Sequence, residues 1–200
     1  MYDKSMRKNV LVILGHPDKE TYCGALAMEY RKGAQAKGAN VETVYLGDLT
    51  FDPILHKGYK EIQPLEDDLE MVQEKIKWAD HIAIVYPTWW GSSPALLKGL
   101  IDRVLLPGFG FNFRKDSLLW DKLLKGRSAR IITTMDEPYL YYWLGFGAPG
   151  DRMMKRVILT FSGIKPVRIT HVDRVRFRKE KWLKNRLAKT KKLAQKDVSR

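Results

Sequence analysis

Apolar residues in this chain follow two rhythms. Five runs are short and nearly unbroken: Asn9 to Gly15, Val41 to Leu46, His81 to Tyr86, Arg130 to Thr134 and Pro166 to Val172. Apolar runs of this length without polar alternation read as strands covered on both faces. Between them the rhythm changes. Leu65, Leu69, Val72 and Ile76 recur every three or four residues and predict a helix from Leu65 to Trp78. Cys23 to Ala36 reads as a helix that stops at Lys37-Gly38-Ala39-Asn40. Pro94 opens another that runs to about Leu105, because proline in a first turn gives up an amide that has no partner there. Asp151 to Phe161, ended by Ser162-Gly163, and Lys179 to Lys196 are the last two. Gly47 to Gln63 is a long connection with turns at Asp52-Pro53 and Gln63-Pro64.

Strand and helix therefore alternate five times. That pattern predicts an α/β fold, a three-layer sandwich around a five-stranded parallel sheet of order 2-1-3-4-5. It fits one domain over residues 1–200, closed by a basic C-terminal helix over 178–196. In such sheets ligands bind outside the carboxyl ends of the strands, where the strand order reverses. Here the reversal falls between the first and third strands. The loops that matter are Gly15 to Cys23, Pro87 to Ser93, and the chain from Met135 onward.

Composition narrows the class. With 44% hydrophobic and 30% charged residues, the chain is globular rather than disordered. No stretch reaches the roughly 18 apolar residues of a membrane span. Met1 to Lys8 is polar and charged, so no secretory signal is expected. Cys23 is the only cysteine, which leaves no internal disulfide and points to a reducing, cytoplasmic setting. The net charge of +13 is unevenly divided: from Arg174 to Arg200 there are 12 Lys/Arg against Glu180 and Asp197. The body is nearly balanced and the tail is basic, a lever on anionic partners rather than a statement about fold.

The first loop, Gly15-His16-Pro17-Asp18-Lys19-Glu20-Thr21-Tyr22-Cys23, has neither G-x-G-x-x-G nor a nucleotide-triphosphate loop. It offers Thr21 at a helix mouth, free amides around it and His16 beside it, which together suit one phosphate. The plainer reading makes Thr21 an N-cap only. The second loop holds Trp89-Trp90 between Pro87-Thr88 and Gly91. Neighbouring side chains in extended backbone point opposite ways. One Trp is expected to pack down and the other to wall a flat aromatic ligand such as a flavin ring. The third, Thr133 to Gly150, is long and rich in aromatics and glycine, as functional loops are. Pro107 to Phe113 adds three Phe and is expected at the same edge as the Trp pair. A dry aromatic cleft of this kind suits hydride transfer between stacked rings.

Gly15-His16-Pro17, Asp48-Leu49 with Phe51-Asp52-Pro53, Tyr86-Pro87-Thr88-Trp89-Trp90-Gly91, Pro94-Ala95-Leu96-Leu97-Lys98-Gly99, Asp102-Arg103-Val104, Pro107-Gly108-Phe109 and Thr133-Thr134 occur in this order. Together they resemble the NAD(P)H quinone oxidoreductase family of flavodoxin-like flavoproteins. The likeness runs from Asn9 to Val172 and is most specific between Tyr86 and Phe113. It implies an FMN (alternatively FAD) enzyme that takes hydride from NAD(P)H and passes it to a quinone-like or other small aromatic acceptor. It also implies a homodimer with the site at the subunit interface. By the same resemblance His16, Thr21, Tyr22 and Cys23 fall on the phosphate turn. Pro87, Thr88, Trp89, Trp90 and Gly91 fall along the isoalloxazine. Thr133, Thr134, Met135 and Asp136 fall on its other polar edge, with Tyr141 near it, and Phe111 and Phe113 lie over the acceptor. No side chain is needed as a catalytic acid, because the flavin carries the chemistry. The chain departs from the family at Cys23, where many relatives carry Asn, and at Met135-Asp136, where the better-known quinone reductases have Gly-Gly. Phe111 and Phe113 also lack the hydroxyl of the Tyr found in some relatives.

Other functions stay in view. One is a flavin-binding regulatory subunit of a cytoplasmic-side potassium efflux system; another is a one-electron carrier of the flavodoxin type. His56, His81 and His171 are scattered without metal-ligand spacing, so no metal is expected. Asp102-Arg103 reads as a structural ion pair, and the lysine-rich last helix as a solvated face. Phe177 and Trp182 are the only aromatics of the basic tail, too few for base stacking, so no nucleic-acid partner is expected.

Overall fold

The computed structural model describes residues 7–200; most of the Met1–Lys8 segment read above lies outside them. In chain order the elements are β1 (Asn9–Leu14), α1 (Tyr22–Gln35), β2 (Asn40–Tyr45), α2 (Asp67–Trp78), β3 (His81–Pro87) and α3 (Ala95–Val104). They continue as β4 (Phe111–Phe113), β5 (Trp120–Lys122), β6 (Ser128–Thr134), α4 (Tyr139–Phe146), α5 (Pro149–Arg152), β7 (Val167–Val172) and α6 (Glu180–Val198). A π-helical segment, Met153–Thr160, extends α5 without a break. The main sheet is parallel, in the order β2-β1-β3-β6-β7, which is the 2-1-3-4-5 arrangement expected. β4 and β5 form a separate antiparallel hairpin that the hydrophobic pattern does not announce.

Alternation along β1 shows why its run is continuous. Leu11 and Ile13 join the layer of α2, α3 and the α5 extension, with Leu69, Val72, Leu97, Leu100, Met154 and Leu159. Val10, Val12 and Leu14 face the other layer, with Leu26, Ala27 and Tyr30 of α1 and Ala194 of α6. Both faces are dry, so both need apolar residues.

Two readings of the sequence are corrected here. Thr133 to Gly150 is not an irregular loop: it contains α4, whose sequence Tyr-Leu-Tyr-Tyr-Trp-Leu-Gly-Phe is apolar all round and so shows no periodicity. Asp102 and Arg103 do not pair, because adjacent helical side chains diverge. Asp102 pairs with Lys98 at 2.7 Å, while fully buried Arg103 reaches Glu66 at 2.8 Å and the carbonyls of Asp52 and Pro64. That one side chain fastens the long 47–66 connection to α3.

The last helix is more than a solvated face. Its inner side packs on α1, where Gly33 leaves room for the Lys191 carbonyl at 2.2 Å from where a Cβ would stand. At its far end Asp197 is buried and takes two bonds from Arg130, at 2.8 and 2.7 Å, and one from the Tyr30 hydroxyl at 2.9 Å. Burial opposes ionisation of Asp197, but the Arg130 guanidinium outweighs it and holds the carboxyl below its usual range. His81 completes the cluster between Tyr30 and Ser128, both at 2.8 Å, and burial pushes its pKa down to about 4.

Candidate functional site

The three loops named above do meet at the carboxyl ends of β1, β3 and β6. The turn after β1 is shaped by close backbone packing. Gly15 donates to Val85 O at 2.8 Å, which ties the turn to β3. Within the turn the Asp18 amide donates to His16 Nδ1 at 2.9 Å, and the Glu20 amide donates to Asp18 Oδ1 at 2.8 Å. The neutral His16 ring accepting at Nδ1 carries its proton on Nε2, which is left to donate. Thr21 is the N-cap of α1: its hydroxyl accepts from the Gly24 amide at 3.3 Å and donates to Asp18 O at 3.2 Å. The plainer reading of that hydroxyl thus holds. Among the described residues, no protein acceptor meets the amides of Lys19, Thr21, Tyr22 and Cys23. They gather at the positive pole of a 14-residue helix. Gly24 makes the arrangement possible, since a Cβ there would stand 1.9 Å from Lys19 O.

The side chains of Tyr22 and Cys23 turn away from this pole. The Tyr22 hydroxyl donates to Leu183 O of α6 at 3.0 Å, and burial raises its pKa to about 12. The Cys23 thiol is buried, 3.2 Å from Thr134 Oγ1; burial raises its pKa to about 11, only partly offset by that bond, so it stays a thiol at neutral pH. What these two residues present to the turn is main chain.

The second loop is a two-residue turn. Trp89 and Ser92 exchange bonds of 2.9 and 3.0 Å, with Trp90 and Gly91 at φ 50° and 72° between them. Positive φ at both positions marks the mirror-type turn of tight hairpins. It throws the Trp90 ring wholly into solvent, while Trp89, half-exposed, meets the His16 ring edge-on at 5.5 Å. Neither Trp packs into the core, contrary to expectation, because the turn stands proud of the sheet end. Pro87 is the buried last residue of β3, and the Thr88 amide is bonded to Thr134 O at 2.7 Å.

At the end of β6, Thr133 and Thr134 are buried, the Thr133 hydroxyl without a protein partner. Met135 offers nothing to the outside, a correction to its reading. Its amide is bonded to Val172 O and its carbonyl to the Val175 amide, both at 3.1 Å, and its side chain packs with Tyr142 and Ala148. Asp136 is exposed and accepts from the Arg176 amide at 3.0 Å. Tyr141 stands at the mouth of a cleft of about 540 Å³ lined by Thr88, Trp90, Gly91, Glu137, Phe146 and Pro149 as well. That volume suits a small ligand.

Phe111 and Phe113 are not in this cleft. Phe111 packs against Phe161 at 5.0 Å, and the two Phe line a separate depression of about 280 Å³ with Tyr59, Ile101 and Val157. The β4–β5 hairpin carries them away along α3, so a single chain does not bring them over the Trp turn.

Sequence reasoning missed Tyr142. Its buried hydroxyl donates to Gly91 O at 2.9 Å and accepts from the Gly150 amide at 2.9 Å, joining the Trp turn to the start of α5. It also missed the half-buried pair of His171 and Asp151, Nε2 to Oδ2 2.8 Å, under the Tyr139 ring at 3.9 Å. The signal was present in Gly147-Ala148-Pro149: glycine at a helix end and proline at the next helix start.

The family described as flavodoxin-like fold matches residues 8–196. A Haemophilus influenzae protein named an uncharacterized NAD(P)H oxidoreductase is 37% identical over 109 residues, covering 52% of this chain and 53% of its own. Mouse ribosyldihydronicotinamide dehydrogenase (quinone) is 27% identical over 155 residues, 63% of this chain and 67% of its own. The match to the first of these therefore spans about half of that relative's length. Among solved structures, Smu.1420 from Streptococcus mutans superposes with a TM-score of 0.78 at 25% identity, covering 94% of this chain and 99% of that one. An FMN-dependent NADH-azoreductase from Bacillus anthracis, in complex with FMN, gives 0.74 at 18% identity, covering 96% and 98%; at that identity the likeness is one of fold.

Proposed function

Since the chain belongs to the flavodoxin-like fold family, we propose that it is an NAD(P)H oxidoreductase that holds FMN and reduces a quinone-like or other small aromatic acceptor. The observation that carries this reading is the set of four partnerless amides at the α1 pole, opening at the same sheet end as a cleft walled by Trp90 and Tyr141. A flavin, when bound, supplies the two-electron relay between nicotinamide and acceptor.

The chain's own residues supply binding and orientation. The amides of Lys19, Thr21, Tyr22 and Cys23 would hold a phosphate, with the Thr21 hydroxyl fixing the turn rather than touching the ligand. His16 Nε2 is the side-chain donor left at that turn. Trp90 and Tyr141 are the flat walls, Trp89 backs the His16 ring, and Tyr142 fixes the turn that carries both tryptophans. Among the described residues, the turn gathers its free amides at one place, which fits the single phosphate of FMN; FAD is the alternative. The names of the relatives, NAD(P)H oxidoreductase and quinone-linked dehydrogenases, agree with this reading.

We also assign the Phe111–Phe113 depression to a second copy in a homodimer, so that Phe113 of one chain closes the cleft of the other. Reconstitution followed by mass analysis of the extracted flavin tests the cofactor. Oxidation of NADH or NADPH with a soluble quinone, giving parallel double-reciprocal lines, tests the two-step reaction. A protein that retains neither FMN nor FAD overturns the reading.

A further inference from the structure

At the end of the molecule away from the cleft, α1 and α6 close on each other. The two helices run parallel. At their starts the Tyr22 hydroxyl reaches Leu183 O at 3.0 Å; near their ends a Cβ on Gly33 would stand 2.2 Å from Lys191 O and 2.9 Å from Ala194 Cβ. Glycine permits that approach, and it brings Lys37, just past the end of α1, to Lys192, Lys196 and Arg200 of α6 and its end. With Gln195 and Ser199 these four cations line a shallow groove of about 500 Å³.

No acid is among the lining residues. Asp197, at this end of α6, is buried and takes two bonds from Arg130 and one from Tyr30, while Arg200 comes no nearer to it than 4.0 Å. Glu29 of α1 is bridged to Lys32 at 2.7 Å. Among the described residues, Lys37, Lys192 and Lys196 have no ion-pair partner. The helix ends offset part of this charge. Each carries roughly half a negative charge, so the two together match about one cation of the four. A terminal carboxylate on Arg200 would match one more. Lys8, which donates to Asp197 O at 3.2 Å, adds another cation at the same end. Positive charge is left over, and Lys192, Lys196 and Arg200 stand at i, i+4 and i+8, where like charges repel. An anion in the groove relieves that repulsion.

What surrounds the groove selects the anion. Among the described residues, no large apolar side chain is exposed beyond Phe177, and Met28 is the only one exposed on α1. A bilayer surface calls for apolar side chains that insert, and single-stranded nucleic acid calls for aromatic faces that stack. This groove offers concentrated charge with an amide and a hydroxyl, which suits phosphate oxygens.

We propose that the groove between the ends of α1 and α6 binds a compact anion carrying two or more phosphate groups, one anion per chain. The site is separate from the phosphate turn at the start of α1: 14 helical residues, about 21 Å, lie between them.

The test is isothermal titration calorimetry of the full chain with tripolyphosphate. The expected result is saturable binding of one anion per chain, at least about tenfold tighter than orthophosphate, that weakens as salt rises. Lys196→Gln is expected to weaken it about fivefold, and Lys192→Gln with Lys196→Gln about twenty-fivefold. All of these are exposed positions, so the variants are expected to fold. Lys181→Gln with Lys184→Gln removes the same charge about 18 Å back along α6 and is expected to change binding by less than about twofold. Absence of saturable binding overturns the proposal. So does an equal loss from the two double variants, which would make the effect one of net charge. So does displacement of tripolyphosphate by FMN, which would place the anion at the start of α1. Duplex DNA or phosphatidylglycerol vesicles that bind through Lys192 and Lys196 about tenfold more tightly per phosphate also overturn it, giving the groove to a polymer or a bilayer. A chain that takes up no flavin but binds tripolyphosphate through Lys192 and Lys196 loses the reductase reading and keeps this site.

Discussion

Gly24→Ala separates a phosphate site from a mere helix cap. The new Cβ would lie 1.9 Å from Lys19 O and 2.9 Å from Lys19 C. Both obstacles are backbone, so no side chain can swing aside; the turn from Pro17 to Thr21 must move by more than an ångström. The amides of Lys19 and Thr21 move with it, and hydrogen bonds weaken steeply over such shifts. A bond to a charged acceptor contributes roughly 1.5–3 kcal/mol, so losing two removes about 3–6 kcal/mol, or ~10²–10⁴ in FMN affinity. Riboflavin has the same ring without the phosphate, so its affinity is expected to change by only about threefold. Flavin-fluorescence titrations with both ligands therefore read the phosphate term alone, even if the variant is less stable. Gly38→Ala at the other end of α1 is the control: its φ is 84° with nothing within 4 Å of the added Cβ, so only backbone strain of about 1–2 kcal/mol enters. A folded Gly24→Ala protein that keeps the full difference between FMN and riboflavin would refute the assignment of the α1 pole.

Tyr142→Phe removes two bonds at the Trp turn but leaves Gly150 N bonded to Gly91 O at 3.0 Å, so a loss of about 1–2 kcal/mol is expected in thermal melts. Arg103→Met strips Glu66 and two carbonyls of their donor; urea unfolding should show a loss of about 3 kcal/mol, the low end for a buried pair because Glu66 is partly exposed. His81 has a folded pKa of about 4 against 6.5 when unfolded, so the unfolded chain binds the extra proton and stability falls as pH drops from 6.5 to 4. That fall is roughly 3 kcal/mol; Asp197 adds a loss of the same sign only as pH drops further, below the ordinary carboxyl value of 3.8, and His81→Gln should flatten the His81 part in urea melts taken across pH.

The sheet was legible because its strands are buried on both faces and carry unbroken apolar runs, Val10 to Leu14 and Ile82 to Val85 above all. The long helices were legible where apolar spacing met a stop, as at Gly38. α4 was not, because eight nearly uniform apolar residues hold no period. The positions of the site loops followed from strand order, but the roles of their side chains did not. Thr21, Tyr22, Cys23 and Met135 are the residue types expected at such a turn and edge, yet their side chains are taken up by capping, α6, β6 and the core. Sequence shows residue type, whereas the group offered to a ligand here is main chain, and which amides stay free is decided by bonds such as Asp18 to His16. The relation of Phe111 and Phe113 to the cleft was likewise invisible, since it depends on a short hairpin with no strong pattern.

The site divides into a fixed floor and unfinished walls, and the division has a thermodynamic consequence. The floor consists of amides anchored by Gly15 to β3 and by Thr21 to α1, already in place before anything binds. The walls, Trp90 and Tyr141, are exposed, and each forfeits most of the burial an aromatic ring can gain. A ligand lying between floor and walls therefore makes its phosphate contacts without reordering the turn and adds apolar burial that the free chain lacks. Both effects act on the folded state alone. Stability should then rise with ligand as RT ln(1 + [L]/Kd), about 2.7 kcal/mol at a hundredfold excess over Kd. Riboflavin at the same multiple of its own Kd must give the same rise, so the two ligands differ only in the concentration needed. A rise with FMN that exceeds the value set by its measured Kd would mean that the folded chain binds FMN at a second place besides this floor.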